Sequence, residues 1–173
     1  MRKSWIVGQA ILKTWIEINI FTTMSSDKLV FILADDDPDD WEIFQEGLQE
    51  VAPPHILHWV KYGDNILPCV KEISPDILFL DLNLPRGCTG IDYLRMIKED
   101  PSLRNIPVVI YTTSNATDQI KVCYSLGASK YLLKPVNYSG IFKGLELIFQ
   151  LYQLDRLMTA GLDDFLIDTY KLR

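Results

Sequence analysis

Short apolar runs alternate with amphipathic segments through the middle of the chain. Apolar runs bounded by turn or polar residues are typical of strands that are covered on both faces, and apolar residues at three- and four-residue spacing predict helices. The predicted strands are 30–34, 56–60, 77–80, 108–111 and 131–133; the predicted helices are 39–51, 65–73, 91–99, 117–126 and a last one that Ser139 caps and that extends to Tyr152. This alternation predicts an α/β fold, a doubly wound parallel sheet of five strands flanked by five helices.

Charged side chains stand where three of these predicted strands end. Asp81 follows the third strand, the cluster Asp35-Asp36-Asp37 follows the first, and Lys134 follows the fifth. The carboxyl ends of parallel strands meet at one edge of a sheet, where open α/β sheets bind ligands. Carboxylates about 4 to 5 Å apart repel by about 3 to 4 kcal/mol per pair at an effective dielectric constant near 20, so such a cluster needs a cation. Oxygen ligands favour Mg²⁺ over zinc.

Four motifs, in this order along the chain, resemble the receiver domain of two-component response regulators. The resemblance extends over about 120 residues, from Leu29 to about Tyr152. The motifs are Leu33-Ala34-Asp35-Asp36, Asp81-Leu82-Asn83-Leu84-Pro85, Pro107-Val108-Val109-Ile110-Tyr111-Thr112-Thr113 and Gly127-Ala128-Ser129-Lys130-Tyr131-Leu132-Leu133-Lys134-Pro135. The resemblance implies the flavodoxin-like strand order 2-1-3-4-5.

The resemblance also implies roles for the acidic residues. Asp81 would be the phosphoacceptor, a nucleophile that takes a phosphoryl group from a phosphohistidine and forms an acyl phosphate. Asp36 would bind Mg²⁺ directly and Asp35 through a water molecule, while Asn83 would supply its backbone carbonyl. Asp37 is expected to be a solvated neighbour or simply part of a helix-capping turn.

Four further residues take roles from the same family. Lys134 would pair with Asp81 and then with the phosphoryl group, and the following Pro135 is expected to form a cis peptide bond. Thr112 would follow the new phosphoryl oxygen with a hydrogen bond, and Tyr131 would then move inward, which makes these two residues the switch. The output surface would be formed by the fourth helix, the fifth strand and the fifth helix.

The function implied is that of a single-domain response regulator. It would accept its phosphoryl group from a sensor histidine kinase or a histidine phosphotransfer protein and would signal to a protein target that the sequence does not identify. Such a chain is a signalling protein, and it catalyses only its own phosphorylation and dephosphorylation. A phosphorelay intermediate, a pseudo-receiver that ignores phosphorylation, and a hydrolase of the aspartyl-phosphate type are the alternatives, although Asn83 stands where the hydrolase needs an acid/base Asp.

Composition limits these functions further. The chain has 173 residues, 48% of them hydrophobic, which suffices for one ordinary domain with appendages. A net charge of -6 argues against nucleic-acid partners. Three cysteines without metal-ligand spacing fit a reduced, cytoplasmic chain. A bacterial source is what the resemblance implies. A homodimer linked to phosphorylation stays open.

The two ends of the chain and one loop are less typical of the family. Residues 1–28 are expected to be an N-terminal extension, of which residues 1–23 lie upstream of a natural start at Met24, with a docked amphipathic helix or a targeting element as alternatives; residues 1–23 are too short and too charged to span a membrane. Residues 29–152 would be the receiver domain. Residues 153–173 would be a tail that adds one helix, and the loop Arg86–Gly90 is one residue longer than the usual pattern.

Overall fold

A parallel sheet forms the centre of the protein. The computed structural model describes residues 28–158 and 161–169. The strands are β1 (Leu29–Ala34), β2 (His55–Val60), β3 (Ile77–Leu80), β4 (Val108–Thr112), β5 (Lys130–Leu133) and β6 (Leu166–Ile167), in the order β2-β1-β3-β4-β5-β6. The helices are α1 (Pro38–Val51), α2 (Ile66–Ile73), α3 (Gly90–Glu99), α4 (Thr117–Ser125) and α5 (Tyr138–Gln153). The predicted doubly wound α/β fold and the order 2-1-3-4-5 are confirmed, with one strand added.

Two apolar layers cover the two faces of the sheet. On one face α1 and α5 bury Phe44, Leu48 and Ile148 against the sheet, and on the other face α2, α3 and α4 bury a second set of side chains. That second set includes Ile66, Val70, Leu94, Ile97 and Cys123. Because both faces are covered, the central strands β1 and β3 are apolar along their whole length, which is the pattern from which they were predicted.

The register of the strands brings their carboxyl ends to one edge. Ala34 of β1 pairs with Val60 of β2 on one side and with Leu80 of β3 on the other. The backbone N–H of Asp81 donates to the carbonyl of Ala34 at 2.9 Å, and that of Lys134 donates to the carbonyl of Thr112 at 2.8 Å. The backbone hydrogen bonds between the strands therefore continue into Asp81 and Lys134 and fix the positions of these residues.

The structure shows the caps of two helices. The start of α1 is capped by Asp37, whose side chain accepts a hydrogen bond from the Asp39 N–H at 2.8 Å, as expected of a capping turn. The start of α5 is capped by Asn137, whose side chain accepts from the Gly140 N–H at 2.9 Å, so the prediction of a Ser139 cap was wrong. Asn137 has the extended backbone that a cap requires, whereas Ser139 already lies in the first helical turn.

The C-terminal segment adds a three-residue 3-10 helix, Leu162–Asp164, followed by the short strand β6. β6 pairs with β5 in parallel, with Tyr131 opposite Leu166 and Leu132 opposite Ile167. In the described residues after α5, the helix predicted for this segment is limited to the 3-10 helix, and the residues that follow it form β6 instead. The physical reason is that β5 would otherwise present an unpaired strand edge, which the segment covers.

Side chains of the C-terminal segment alternate in burial as a strand requires. Phe165, Ile167 and Thr169 are buried, and the residues between them are partly exposed. The Phe165 ring packs against Tyr124 and Tyr131, with centroid distances of 5.3 and 6.1 Å. The segment is thus part of the core that surrounds β5.

The expectations for the N-terminal extension fall on residues 1–27, which lie outside the described residues. Among the residues that the structure describes, no helix is long and apolar enough to cross a membrane.

We expect Phe165→Ala to lower the free energy of unfolding by about 3 kcal/mol, because it removes a fully buried aromatic ring between α4 and β5. Leu162→Ala is the matched control: this side chain belongs to the same segment but is 44% exposed, so its loss should cost less than about 1 kcal/mol. Urea unfolding followed by circular dichroism measures both. Equal midpoints for Phe165→Ala and the parent would show that the segment is not part of the cooperative core.

Candidate functional site

Three carboxylates meet at the edge where β1 and β3 end. Asp35, Asp36 and Asp81 each offer an oxygen, and these three oxygens lie within 4.8 Å of one another. Asp35 is completely buried, Asp81 is 5% exposed, and Asp36 is open to solvent. The sequence predicted that these residues meet, and the structure brings them together.

Lys134 lies among the carboxylates and contacts one that the sequence analysis did not identify. Its Nζ is 2.8 Å from Oδ2 of Asp81, of Asp35 and of Asp40. Asp40 belongs to the first turn of α1, and only the acidic character of that turn in the sequence could have suggested it. Burial on its own would lower the pKa of Lys134, but the attraction of Asp81 and Asp35 outweighs it, and the pKa lies above its ordinary value.

The peptide bond between Lys134 and Pro135 is trans, as are the other peptide bonds among the described residues. The expectation of a cis bond was wrong. Lys134 is directed into the site by its position after β5, where its N–H donates to the Thr112 carbonyl and continues the ladder with β4.

The Asp35 carboxylate is buried, and burial disfavours its ionised form. Burial raises the pKa of Asp35 to about 6, even though Lys134 and the N–H of Asp37 favour the ionised form. Its Oδ1 accepts a hydrogen bond from the Asp37 N–H at 3.1 Å. Its Oδ2 lies 2.8 Å from Lys134 Nζ as an ion pair, yet that contact lacks hydrogen-bond geometry, and the described residues supply this buried oxygen with no other donor.

These features fit a divalent cation with a preference for oxygen. The three carboxylates carry more negative charge than Lys134 offsets, and one buried oxygen has no hydrogen-bond donor among the described residues. Hard ions such as Mg²⁺ and Mn²⁺ take carboxylate and carbonyl oxygens. Asn83 lies beside the cluster, and its N–H donates to Asp81 Oδ1 at 3.2 Å; its predicted carbonyl contact with the metal stays a prediction.

The long loop after Pro85 folds without disturbing the acidic cluster. Arg86 and Gly87 both adopt left-handed backbone conformations, with φ of 61° and 81°. A Cβ on Gly87 would collide with the Tyr93 hydroxyl, and the left-handed backbone also disfavours any side chain there, so glycine suits this position. The Arg86 guanidinium lies over the Tyr62 ring, 4.6 Å from its centroid. The additional residue is therefore accommodated by one tight turn.

The predicted switch residues meet through Ser114. Thr112 and Tyr131 are both completely buried. The N–H of Ser114 approaches Thr112 Oγ1 at 3.5 Å, and the Tyr131 hydroxyl donates to the Ser114 carbonyl at 2.9 Å. Burial is the main cause that raises the pKa of Tyr131 to about 12. The Tyr131 ring thus occupies an inward position in this structure, and Ser114 is a contact that sequence reasoning missed.

Removing the buried charge of Asp35 should stabilise the metal-free protein in a pH-dependent way. Its pKa is raised from 3.8 to about 6 on folding, so the ionised form is disfavoured in the folded state and stability is lost as the pH rises through that interval. We expect Asp35→Asn to match the parent below about pH 4 and to exceed it by about 2 to 3 kcal/mol above about pH 7.

Urea unfolding in the presence of a chelator, repeated across this pH range, measures the difference. Asp39→Asn, which changes an exposed carboxylate at the start of α1, is the matched control and should show no such trend. A gain for Asp35→Asn that is independent of pH would contradict this explanation.

Comparisons with known proteins agree with this geometry. A relative from Synechocystis sp. (strain ATCC 27184 / PCC 6803 / Kazusa), Response regulator Rcp1, is 29% identical over 150 residues, which cover 83% of this chain and 92% of that protein. The Two-component response regulator ARR15 of Arabidopsis thaliana is 38% identical over 88 residues, or 51% of this chain; the match spans 42% of the length of the plant protein.

Solved structures show the same fold. The Mn²⁺-bound form of Rcp1 aligns with a TM-score of 0.65 and 31% identity, covering 77% of this chain and 97% of that one. The phosphorylated cyanobacterial phytochrome response regulator RcpA aligns with a TM-score of 0.67 and 32% identity, covering 78% and 98%. The family model of the response regulator receiver domain matches residues 31–146, more than half of the chain. This chain belongs to the family of response regulator receiver domains, which are signalling domains rather than conventional enzymes.

Proposed function

We propose that this chain is a response regulator that accepts a phosphoryl group on Asp81 from a sensor histidine kinase or a histidine phosphotransfer protein. The observation that carries this proposal is the contact of Asp81 Oδ2 with Lys134 Nζ at 2.8 Å, inside a cluster of carboxylates. Membership of the receiver family supports it. We place the reaction in the cytoplasm, which suits three cysteines that are all free.

The groups around Asp81 suit nucleophilic attack on phosphorus. One carboxylate oxygen faces Lys134 Nζ and the other accepts from the Asn83 N–H, so the side chain is held in one orientation. In the proposed transfer, an Asp81 oxygen forms the new O–P bond, the P–N bond of the phosphohistidine breaks, and the imidazole leaves. Lys134 then stabilises the charge on the phosphoryl oxygens.

We further propose Mg²⁺ as the cation of this site, held by Asp35, Asp36 and Asp81 together with the Asn83 carbonyl. When bound, it would offset the repulsion between the carboxylates and an incoming phosphoryl group. The support is the acidic cluster itself and the Mn²⁺-bound form of Rcp1, which is similar to this chain. In this proposal Asp35 contributes through a water molecule and Asp36 directly.

Thr112 and Tyr131 are the residues that we propose to carry the signal away from Asp81. Thr112 lies at the end of β4 and contacts Ser114, whose carbonyl holds the Tyr131 hydroxyl. A new hydrogen bond from Thr112 to the phosphoryl group would disturb Ser114, and Tyr131 with it. Because Phe165 packs against the Tyr131 ring, the C-terminal segment belongs to the surface that responds.

The proposed output is a protein-binding surface formed by α4, β5 and α5 together with the segment 161–169. β6 covers the edge of β5, and Phe165 lies between Tyr124 of α4 and Tyr131 of β5. A partner that reads this face would meet the segment first. A phosphorelay intermediate uses the same acceptor site and differs in passing the group on to a histidine phosphotransfer protein.

Asp81→Asn should abolish phosphorylation by a small acyl-phosphate donor with Mg²⁺, because the amide is a much weaker nucleophile than the carboxylate. Asp37→Asn is the matched control, since Asp37 is a nearby carboxylate that caps α1; we expect it to be labelled as fully as the parent. Intact-protein mass spectrometry counts the phosphoryl groups. Full labelling of Asp81→Asn, or labelling that a chelator leaves unchanged, would contradict the assignment.

The hydrolase alternative differs in turnover. A receiver domain should release no more than about one equivalent of product from a generic phosphatase substrate, whereas a phosphohydrolase turns over many times. If the parent turns over such a substrate rapidly and many times, and Asp81→Asn abolishes this activity, the chain is a hydrolase and the proposal of a response regulator is wrong.

Thr112→Ala should separate phosphorylation from signalling. We expect labelling at Asp81 to stay within about threefold of the parent, while the response of amide signals to beryllofluoride and Mg²⁺ at Tyr131, in α4 and in residues 165–167 falls by more than half. Thr113→Ala, which changes the exposed neighbour, should respond as the parent does. Two-dimensional NMR measures all three proteins.

A full response in Thr112→Ala would show that another residue carries the signal. The same conclusion would follow if the largest distant shifts in the parent fell in residues 56–73, which lie on the opposite side of the sheet from β5.

A further inference from the structure

Two tryptophan rings stack beside the acidic cluster. Trp41 of α1 and Trp59 of β2 have ring centroids 4.9 Å apart and planes inclined by 8°. The Lys61 Nζ lies over the Trp59 ring, 4.1 Å from its centroid. Both indoles are partly buried, and together these contacts hold the Trp59 ring in one orientation.

The Trp59 ring contacts the backbone of the acidic cluster through a short hydrogen bond. Its Nε1–H donates to the backbone carbonyl of Asp35 at 2.7 Å. β1 ends at Ala34, and the Asp35 N–H makes a last ladder bond to the Val60 carbonyl at 3.1 Å. The next carbonyl lies beyond the strand ladder, so a side chain supplies its donor.

This carbonyl belongs to the peptide group that joins Asp35 to Asp36. Because the peptide group is planar and rigid, fixing its orientation places the Cα atoms of both residues and narrows the range of directions in which their side chains can leave the backbone. The Asp36 side chain is exposed, so its position depends mainly on its backbone. A carboxylate that is already in place does not have to be ordered when a cation binds.

We propose that Trp59 is a positioning residue for the metal site, through the hydrogen bond that holds the Asp35–Asp36 peptide. Trp41 supports it from α1 by stacking. The inference rests on the proposed binding of a divalent cation by Asp35, Asp36 and Asp81. It adds a residue that contacts neither the cation nor the phosphoryl group and that acts through the backbone between two ligands, as supporting hydrogen bonds do in metal sites.

Two substitutions separate this role from simple packing. Trp59→Phe keeps an aromatic ring against Trp41 and removes the N–H donor. Trp41→Phe keeps the Trp59 N–H and changes the stack by a similar amount of apolar surface. A packing role predicts that both variants behave alike, whereas the positioning role predicts that only Trp59→Phe weakens cation binding.

Titration calorimetry of the full chain with Mn²⁺ alone is the test. We expect Trp59→Phe to raise the Kd about fivefold, the effect of losing one hydrogen bond, and Trp41→Phe to change it less than about twofold. Urea unfolding in chelator reports the stability of each variant separately. A Kd for Trp59→Phe within twofold of the parent, or equal losses in both variants that follow their loss of stability, would overturn the proposal.

Asp36→Asn tests the proposed metal site separately from the role of Trp59. If this variant loses most of its Mn²⁺ affinity, as we expect, the site is the one described and the tryptophan variants test the positioning role. If it binds Mn²⁺ as the parent does, the proposed metal site is wrong, and the role of Trp59 falls with it.

Discussion

The ammonium group of Lys134 offsets the repulsion between carboxylates that lie at one edge of the sheet. Its Nζ lies 2.8 Å from a carboxylate oxygen of Asp35 after β1, of Asp81 after β3 and of Asp40 in α1. A buried carboxylate without a partner is strongly destabilising, so Asp35 and Asp81 depend on this one cation in the absence of metal. One ammonium does not offset all of these charges, and the excess is what makes the edge receptive to a divalent ion. Lys134 is thus both a structural cation and the group best placed to meet a phosphoryl oxygen.

β5 connects the acidic cluster with the outer edge of the sheet. Lys134 follows β5, Tyr131 lies within it, and β6 pairs with its outer edge. Contacts run from Thr112 through Ser114 to Tyr131 and from the Tyr131 ring to Phe165, and this is the path that we propose for the signal. The C-terminal segment covers the outer edge of β5 and therefore lies within the surface that we propose as the output.

The sequence was sufficient to predict the parts of the site that depend on strand ends. Asp35, Asp81 and Lys134 each follow an apolar run, and parallel strands necessarily bring such residues to one edge. Asp40 was missed because its contact depends on where α1 begins and how it is rotated, and neither follows from a string of acidic residues. The Trp59 hydrogen bond was missed because it joins residues 24 positions apart on neighbouring elements.

The errors at the C-terminal end have a similar origin. β6 is a two-residue strand, too short for alternation to stand out from helical spacing, and its partner β5 is more than 30 residues away. The cap of α5 was misassigned because Asn137 and Ser139 are both good capping residues, and only the backbone conformation decides between them.

A crystal structure of the full chain with Mg²⁺ and beryllofluoride tests the central claim most directly. We expect the fluoroberyllate on an oxygen of Asp81, the metal against Asp36 and Asp81, the Thr112 hydroxyl within hydrogen-bond distance of a fluoride, and Lys134 Nζ moved from Asp40 toward the fluoroberyllate. A fluoroberyllate on any other carboxylate, or a metal away from Asp35, Asp36 and Asp81, would contradict the assignment of this edge as the phosphoacceptor site.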